Sequence, residues 1–194
     1  MADEPVRQLR SLALLVKARN SIDSAIAELI GRPAGVGHIG EYVASVVFGI
    51  ELETSAVKAG YDGRFMEGRL AGRTVNIKLY GKRESLLDIN ERYVPDFYLV
   101  LTGPKASPGT SRLTTRPIVI DEVFLFDAQE LINAQITRGA KLGVASSVLT
   151  PHWSAARVYP RPETPPLQLS ELQVSLLQLF SSPVSRTSTA ATRR

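Results

Sequence analysis

Apolar and polar positions change period several times along this 194-residue chain, and each change suggests an element. Residues 5–19 carry Val6, Leu9, Leu12, Ala13 and Val16 at the three-four spacing of one helix face. Leu14 and Leu15 widen that face, so the helix is expected to be buried around its middle. Asn20 and Ser21 interrupt the pattern, and Ser21–Ile30 reads as a second helical run ending at Gly31, Arg32 and Pro33. Residues 33–37 read as a loop. Gly40–Gly49 predicts a third helix whose buried stripe runs through Ile39, Val43, Val46, Val47 and Ile50.

The period then shortens to two. Glu51–Val57 is a short strand candidate, and Tyr61–Tyr80 reads as two strands joined by a Gly-rich turn. In its second half Val75, Ile77 and Leu79 point one way, and Thr74, Asn76, Lys78 and Tyr80 the other. If the strands pair about Leu70, Phe65 faces Val75 and Asp62 faces Lys78. The apolar sets then share one face, and an Asp, an Asn and a Lys gather on the other.

Residues 82–90 are polar and give no clear period. Asp96–Leu101, following Pro95, suits a strand buried on both faces. Residues 103–115 read as a loop, and Ile118–Phe126 as a further strand. Asp127, with Glu130 three residues on, predicts the start of a helix over 128–138 before Gly139. Short β pieces are expected around 146–149 and 157–159. Four prolines break the pattern between Pro160 and Pro166. Leu167–Phe180 is an amphipathic, Leu- and Gln-rich run, and the polar residues 181–194 are expected to be mobile. The order predicts an α/β fold with a mixed central sheet. Its expected organisation is N-terminal helices over 1–34, an α/β core over 35–160, and a Pro-rich linker, helix and basic tail over 161–194.

Composition narrows the chemistry. With 44% hydrophobic and 22% charged residues the chain has enough apolar material for a real core. The formal net charge of +4 permits an acidic partner without demanding one. The absence of Cys excludes disulfides, thiolate metal sites and a Cys nucleophile. No apolar run approaches the about 18–20 residues of a membrane span, so a cytoplasmic protein without a membrane partner is expected. The Gly35-Val36-Gly37-His38-Ile39-Gly40 segment matches a dinucleotide fingerprint letter for letter, but a helix rather than a strand precedes it. A loop with a helix start is the better reading. His38 and His152 lack metal-ligand spacing, no GxSxG elbow accompanies any Ser, and Trp153 is expected to be a packing residue.

The polar face of the hairpin is richer. An acid, an amide oxygen and a Lys on adjacent strands are the parts that metal-assisted phosphodiester hydrolysis needs. Hard Mg²⁺ takes one or two carboxylates, neutral carbonyls and waters, and a Lys stabilises developing charge. Lys58, Arg64, Arg69, Arg73, Lys82 and Arg83 surround the segment. A solvated surface explains them, and so does a phosphate-backbone track. At Gly40-Glu41, Tyr61-Asp62-Gly63 and Asn76-Ile77-Lys78, the chain resembles the restriction-endonuclease-like, or PD-(D/E)xK, nuclease superfamily over roughly residues 35–138.

That resemblance implies a restriction-endonuclease-like core and a Mg²⁺-dependent nuclease acting on DNA, with Mn²⁺ admissible in place of Mg²⁺. Asp62 would be the main metal ligand, Asn76 a second ligand through its amide oxygen, Lys78 the catalytic lysine and Glu41 a supporting acid and metal ligand. Arg64, Arg73, Lys82 and Arg83 would contact nucleic acid. Asn76 departs from the usual acidic or Gln residue and lowers the negative charge offered to a metal. A nucleic-acid-binding module that does not cut therefore stands as the alternative. So does an interaction protein, a homodimer or one that pairs through Leu167–Phe180.

Overall fold

The computed structural model describes residues 3–54, 60–107 and 116–183. The chain begins with one uninterrupted helix, α1 (Asp3–Ile30). The expected break at Asn20–Ser21 does not occur. Through this stretch Ser24 Oγ donates to the Asn20 carbonyl at 2.9 Å, and Arg19 lies 3.4 Å from Asp23. Nor is the helix buried at its middle, where Leu14 and Leu15 are both 68% exposed. Half-buried positions begin only at Asp23 and include Ile26, Ala27 and Ile30, where α1 approaches the next helix.

Helix α2 (Val36–Phe48) starts earlier than its apolar stripe suggests and ends at Gly49, whose left-handed conformation (φ 62°) turns the chain. Val43, Ala44, Val47 and Phe48 are buried, whereas Val46, expected in that stripe, faces outward. α2 lies directly on the strand that carries the candidate site. A Cβ on Gly40 would stand 2.7 Å from Leu79 Cβ, so only glycine admits this approach.

The strands are β1 (Ile50–Leu52), β2 (Gly63–Phe65), β3 (Thr74–Tyr80), β4 (Leu86–Leu87), β5 (Phe97–Thr102), β6 (Glu122–Asp127), β7 (Ser146–Ser147) and β8 (Arg157–Tyr159). Six form one mixed sheet in the order β1-β2-β3-β5-β6-β8. Only the β3–β5 pair is parallel; its neighbours are antiparallel. β4 and β7 form a separate antiparallel pair. Strand β5 is buried on both faces, as its continuous apolar run requires.

Each face of the sheet has its own core. Val75, Ile77 and Leu79 pack with α2 and with Leu177 of α5 (Glu171–Gln178). On the opposite face, Tyr98, Val100, Phe124 and Phe126 pack with α3 (Ala128–Thr137), α4 (Thr150–Ala156) and the β4–β7 pair. Asp127 caps α3 by accepting the Glu130 N–H at 2.9 Å, the arrangement its spacing predicts. Helix α4 has no counterpart among the predicted elements. Its Trp153 stands edge-on to Phe124 and Phe126, at 4.8 and 5.0 Å between centroids, and is a packing residue.

The C-terminal part departs from its expected role as an appendage. Leu167, Leu169, Leu176 and Phe180 pack against the α2-side core, and Gln173 Nε2 donates to the Val47 carbonyl at 2.8 Å. Much of the apolar face of 167–180 is therefore used within the chain, while Leu172 and Leu179 stay exposed at 68% and 75%. Residues 184–194, expected to be mobile, lie outside the described residues, as do Lys58 and most of the 103–115 loop. Among the described residues no helix is long and apolar enough to cross a membrane.

Candidate functional site

β3 does what its alternation predicts: odd positions from Val75 to Leu79 are buried, and Thr74, Asn76, Lys78 and Tyr80 are half-buried on the other side. The register with β2 differs from the expected one by two residues. Gly63 pairs with Val75 and Arg64 with Thr74, which brings Asp62 level with Asn76 rather than Lys78. The cause lies in the connection: a 3-10 turn at Gly68–Leu70, closed by Gly72, takes up residues that a symmetrical hairpin would have paired. An even shift leaves each side chain on its expected face, with Asp62 one pair further along, level with Asn76.

Asp62 stands where the β2–β3 ladder stops. Its N–H donates to the Val75 carbonyl at 2.9 Å, and its carbonyl accepts from Glu53 N–H. Its Oδ2 then accepts the Ile77 N–H at 2.6 Å, supplying the acceptor that β2 no longer provides. Gly63 makes this possible, since a Cβ there would meet the Glu51 carbonyl oxygen at 2.4 Å. Burial raises the Asp62 pKa above the usual carboxylate value, while the Ile77 bond and the charges of Lys78 and Arg32 pull against that rise without cancelling it.

Asn76 Oδ1 is buried and has no hydrogen-bond partner. Leaving such an acceptor unsatisfied costs about 1–3 kcal/mol, so it marks a place where a donor, a water or a cation belongs. Among the described residues Lys78 makes no salt bridge. Both side chains line a cavity of about 610 Å³ whose other walls include Asp88, Asn90, Arg92 and Tyr98. Asp62 and Glu41 are not part of that lining. Asp88 is held structurally: its Oδ1 accepts Ala145 N–H at 2.8 Å and its Oδ2 the Tyr80 hydroxyl at 3.2 Å.

Glu41 departs from its expected role. It sits in α2, on the far side of β3, and forms an ion pair with Arg32. Arg32 in turn acts electrostatically on Asp62. The Glu41 carboxylate is engaged by a guanidinium whose charge reaches Asp62. Among the described residues no three His, Cys, Asp or Glu side chains come together as a metal set. What remains is one carboxylate, one amide oxygen and a free Lys. That set fits Mg²⁺, which completes its shell with water, and does not fit a dedicated all-protein cage. Arg32 escaped the sequence reading; its one signal was its place in the Gly31-Arg32-Pro33 stop just ahead of the helix bearing Glu41.

The basic residues divide. Arg64 is exposed, donates to the Tyr61 hydroxyl at 2.6 Å and lies 4.7 Å over the Tyr61 ring. Arg73 is exposed and pairs with Asp96 at 3.0 Å. Lys82 is half-buried. Arg83 corrects the expectation: it is 8% exposed, bound to Glu122 at 2.5 Å and set over the Phe124 and Trp153 rings. It braces the interior and cannot lie along a phosphate backbone. Comparison with known proteins leaves the site to stand on its own geometry, since no protein-family model matches the chain and no curated protein matches it.

Proposed function

We propose that this chain is a Mg²⁺-dependent nuclease of restriction-endonuclease-like fold, hydrolysing DNA phosphodiesters at Asp62, Asn76 and Lys78. The observation that carries this reading is the buried, unpartnered Asn76 Oδ1 on the same strand face as Lys78 and level with Asp62. A Mg²⁺ held by Asp62 and Asn76 Oδ1 would neutralise a phosphate oxygen and acidify a water. Asp62 is pre-set for this by the Ile77 N–H, which fixes one carboxylate oxygen and leaves Oδ1 for the cation. Lys78 stabilises the charge that develops on the phosphate and orients the attacking water. Arg32, held by Glu41, adds positive charge beside Asp62. The exposed Arg64 and Arg73 contribute sequence-independent backbone affinity.

Cleavage of plasmid DNA with Mg²⁺ or Mn²⁺ tests the proposal. Wild type nicks; Asp62→Asn and Lys78→Met do not, and EDTA abolishes the wild-type reaction. Equal, EDTA-insensitive cleavage by all three proteins would refute it. A second reading, a module that binds nucleic acid without cutting, is favoured by the Arg32–Glu41 pair, which leaves Asp62 as the one carboxylate offered to a metal. Salt-dependent retardation of DNA without metal-dependent cleavage would establish that reading instead.

A further inference from the structure

Helix α1 leaves most of its large apolar side chains exposed. From Glu4 to Ile22 every side chain of the helix is exposed. Eight large apolar side chains of α1 stand in solvent, among them Leu15 at 68%, Ile22 at 59% and Leu29 at 73%. They are spread round the helix, and Leu15, Ile22 and Leu29, which share one face, present on the order of 350 Å² of it, within the roughly 300–600 Å² range of the largest patch on a monomer and often a functional one.

Part of that surface is ordered into a seam. Ser11, Leu15, Ala18, Ile22, Ala25 and Leu29 alternate at spacings of four and three and fall on one face over about 27 Å of helix. The seam lies beside, not on, the face that carries the half-buried Ile26 and Ile30. Bulky and small residues alternate along it. We infer that α1 pairs antiparallel with α1 of a second copy of this chain, so that each bulky residue seats on a small one. Leu15 meets Ala25 of the partner subunit, Ile22 meets Ala18 of the partner subunit, and Leu29 meets Ser11 of the partner subunit. A parallel pair would set Leu15, Ile22 and Leu29 against their own copies and leave gaps at each Ala.

Charge favours the same order. Arg7 and Arg19 pair with Glu4 and Asp23 within the helix, which leaves Arg10 and Lys17 before Asn20 and Glu28 after it. Antiparallel pairing sets the basic half beside the acidic half; parallel pairing sets basic beside basic. Asp3 and Glu4 fall beyond the overlap. Among the described residues nothing covers this face of α1. Leu167, Leu169, Leu176 and Phe180 are already packed on the core, and residues 184–194 are mostly Ser, Thr, Ala and Arg.

Sedimentation equilibrium of the full chain tests the pairing, independently of any nuclease activity. Wild type dimerises with a dissociation constant of about 10 µM or tighter. Ile22→Glu weakens it at least a hundredfold with an unchanged circular-dichroism spectrum, because Ile22 is 59% exposed in the monomer. The chain has no Cys, so single-cysteine variants report the order directly. Ser11→Cys mixed with Leu29→Cys yields the mixed disulfide and little of either self-pair. A wild type that stays monomeric at about 100 µM, including one that partitions onto anionic vesicles instead, overturns the inference. So does a dimer indifferent to Ile22→Glu, or a Ser11→Cys protein that couples to itself as readily.

Discussion

Replacing Asp62 by Asn and by Ala separates the two jobs of this side chain. Asn keeps an oxygen for the Ile77 N–H, now bound at 2.6 Å, and removes only the charge. Ala removes both, leaving a buried N–H without an acceptor, which costs about 1–2 kcal/mol. For a chain of this size that separates the two variants by roughly 2–8 °C in Tm. The charge contributes with the opposite sign. Burial raises the Asp62 pKa in the folded chain, so between the ordinary carboxylate value and the raised one the native state binds more protons than the unfolded state. Wild-type stability from this group therefore falls as pH rises through that window, and above it the carboxylate is a standing cost. Asp62→Asn matches wild type in acid, where both are neutral, and exceeds it at pH 7. Scanning calorimetry across pH reads both effects. Mg²⁺ supplies a second readout: at ten times its dissociation constant it stabilises wild type by about 1.4 kcal/mol and leaves Asp62→Asn unmoved. An Asp62→Asn protein less stable than wild type at pH 7 would refute the reasoning, because the carboxylate would then be a stabilising group and not one held in readiness.

Three further outcomes are expected. Gly63→Ala drives a Cβ to 2.4 Å from the Glu51 carbonyl and 2.7 Å from Ile50, so it destabilises by about 1–3 kcal/mol in thermal unfolding; an unchanged Tm would show that β1 and β2 part freely. Glu122→Ala strands the buried Arg83 guanidinium and costs about 3–5 kcal/mol by urea unfolding, whereas the double change Arg83→Met and Glu122→Leu recovers most of it. Asp96 behaves oppositely to Asp62. Partial burial raises its pKa, but the Thr74 N–H and hydroxyl and the Arg73 guanidinium outweigh that and hold it below the usual value. Its contribution is full above about pH 4 and is lost as pH falls through the depressed native value, so Asp96→Asn destabilises at pH 7 and ceases to matter in strong acid, as a Tm series would record.

Much of the sheet was legible because burial there follows a strict period. Thr74–Tyr80 alternates without a fault, and Asp96–Leu101 announces a strand covered on both faces. The face that Asn76 and Lys78 share could be read, but the register that sets Asp62 level with Asn76 could not. It depends on how many residues the Gly68–Gly72 turn absorbs, which no side-chain period encodes. Helix α1 shows the reverse limit. Its apolar spacing identifies a helix correctly, yet spacing cannot tell a face packed inside the chain from one left for another surface. α5 errs in the other direction for the same reason: its apolar face looked available and is packed on the sheet. Helix α4 is short and opens with Pro151 in its first turn, so its pattern spans too few turns to register. The Arg32–Glu41 pair crosses a loop, and pairings of that kind leave no periodic trace.

The joint at Gly31-Arg32-Pro33 has a consequence for how the molecule reports on its own state. α1 ends at Ile30, two residues before the guanidinium that lowers the Asp62 pKa. The end of α1 and the carboxyl of Asp62 are thus neighbours through one guanidinium. Breaking the Arg32–Glu41 pair would withdraw that charge, and the carboxyl beside β3 would hold its proton to a higher pH. The occupancy of one proton, at the end of the β2–β3 ladder, would then record whether the joint between α1 and α2 keeps its ion pair.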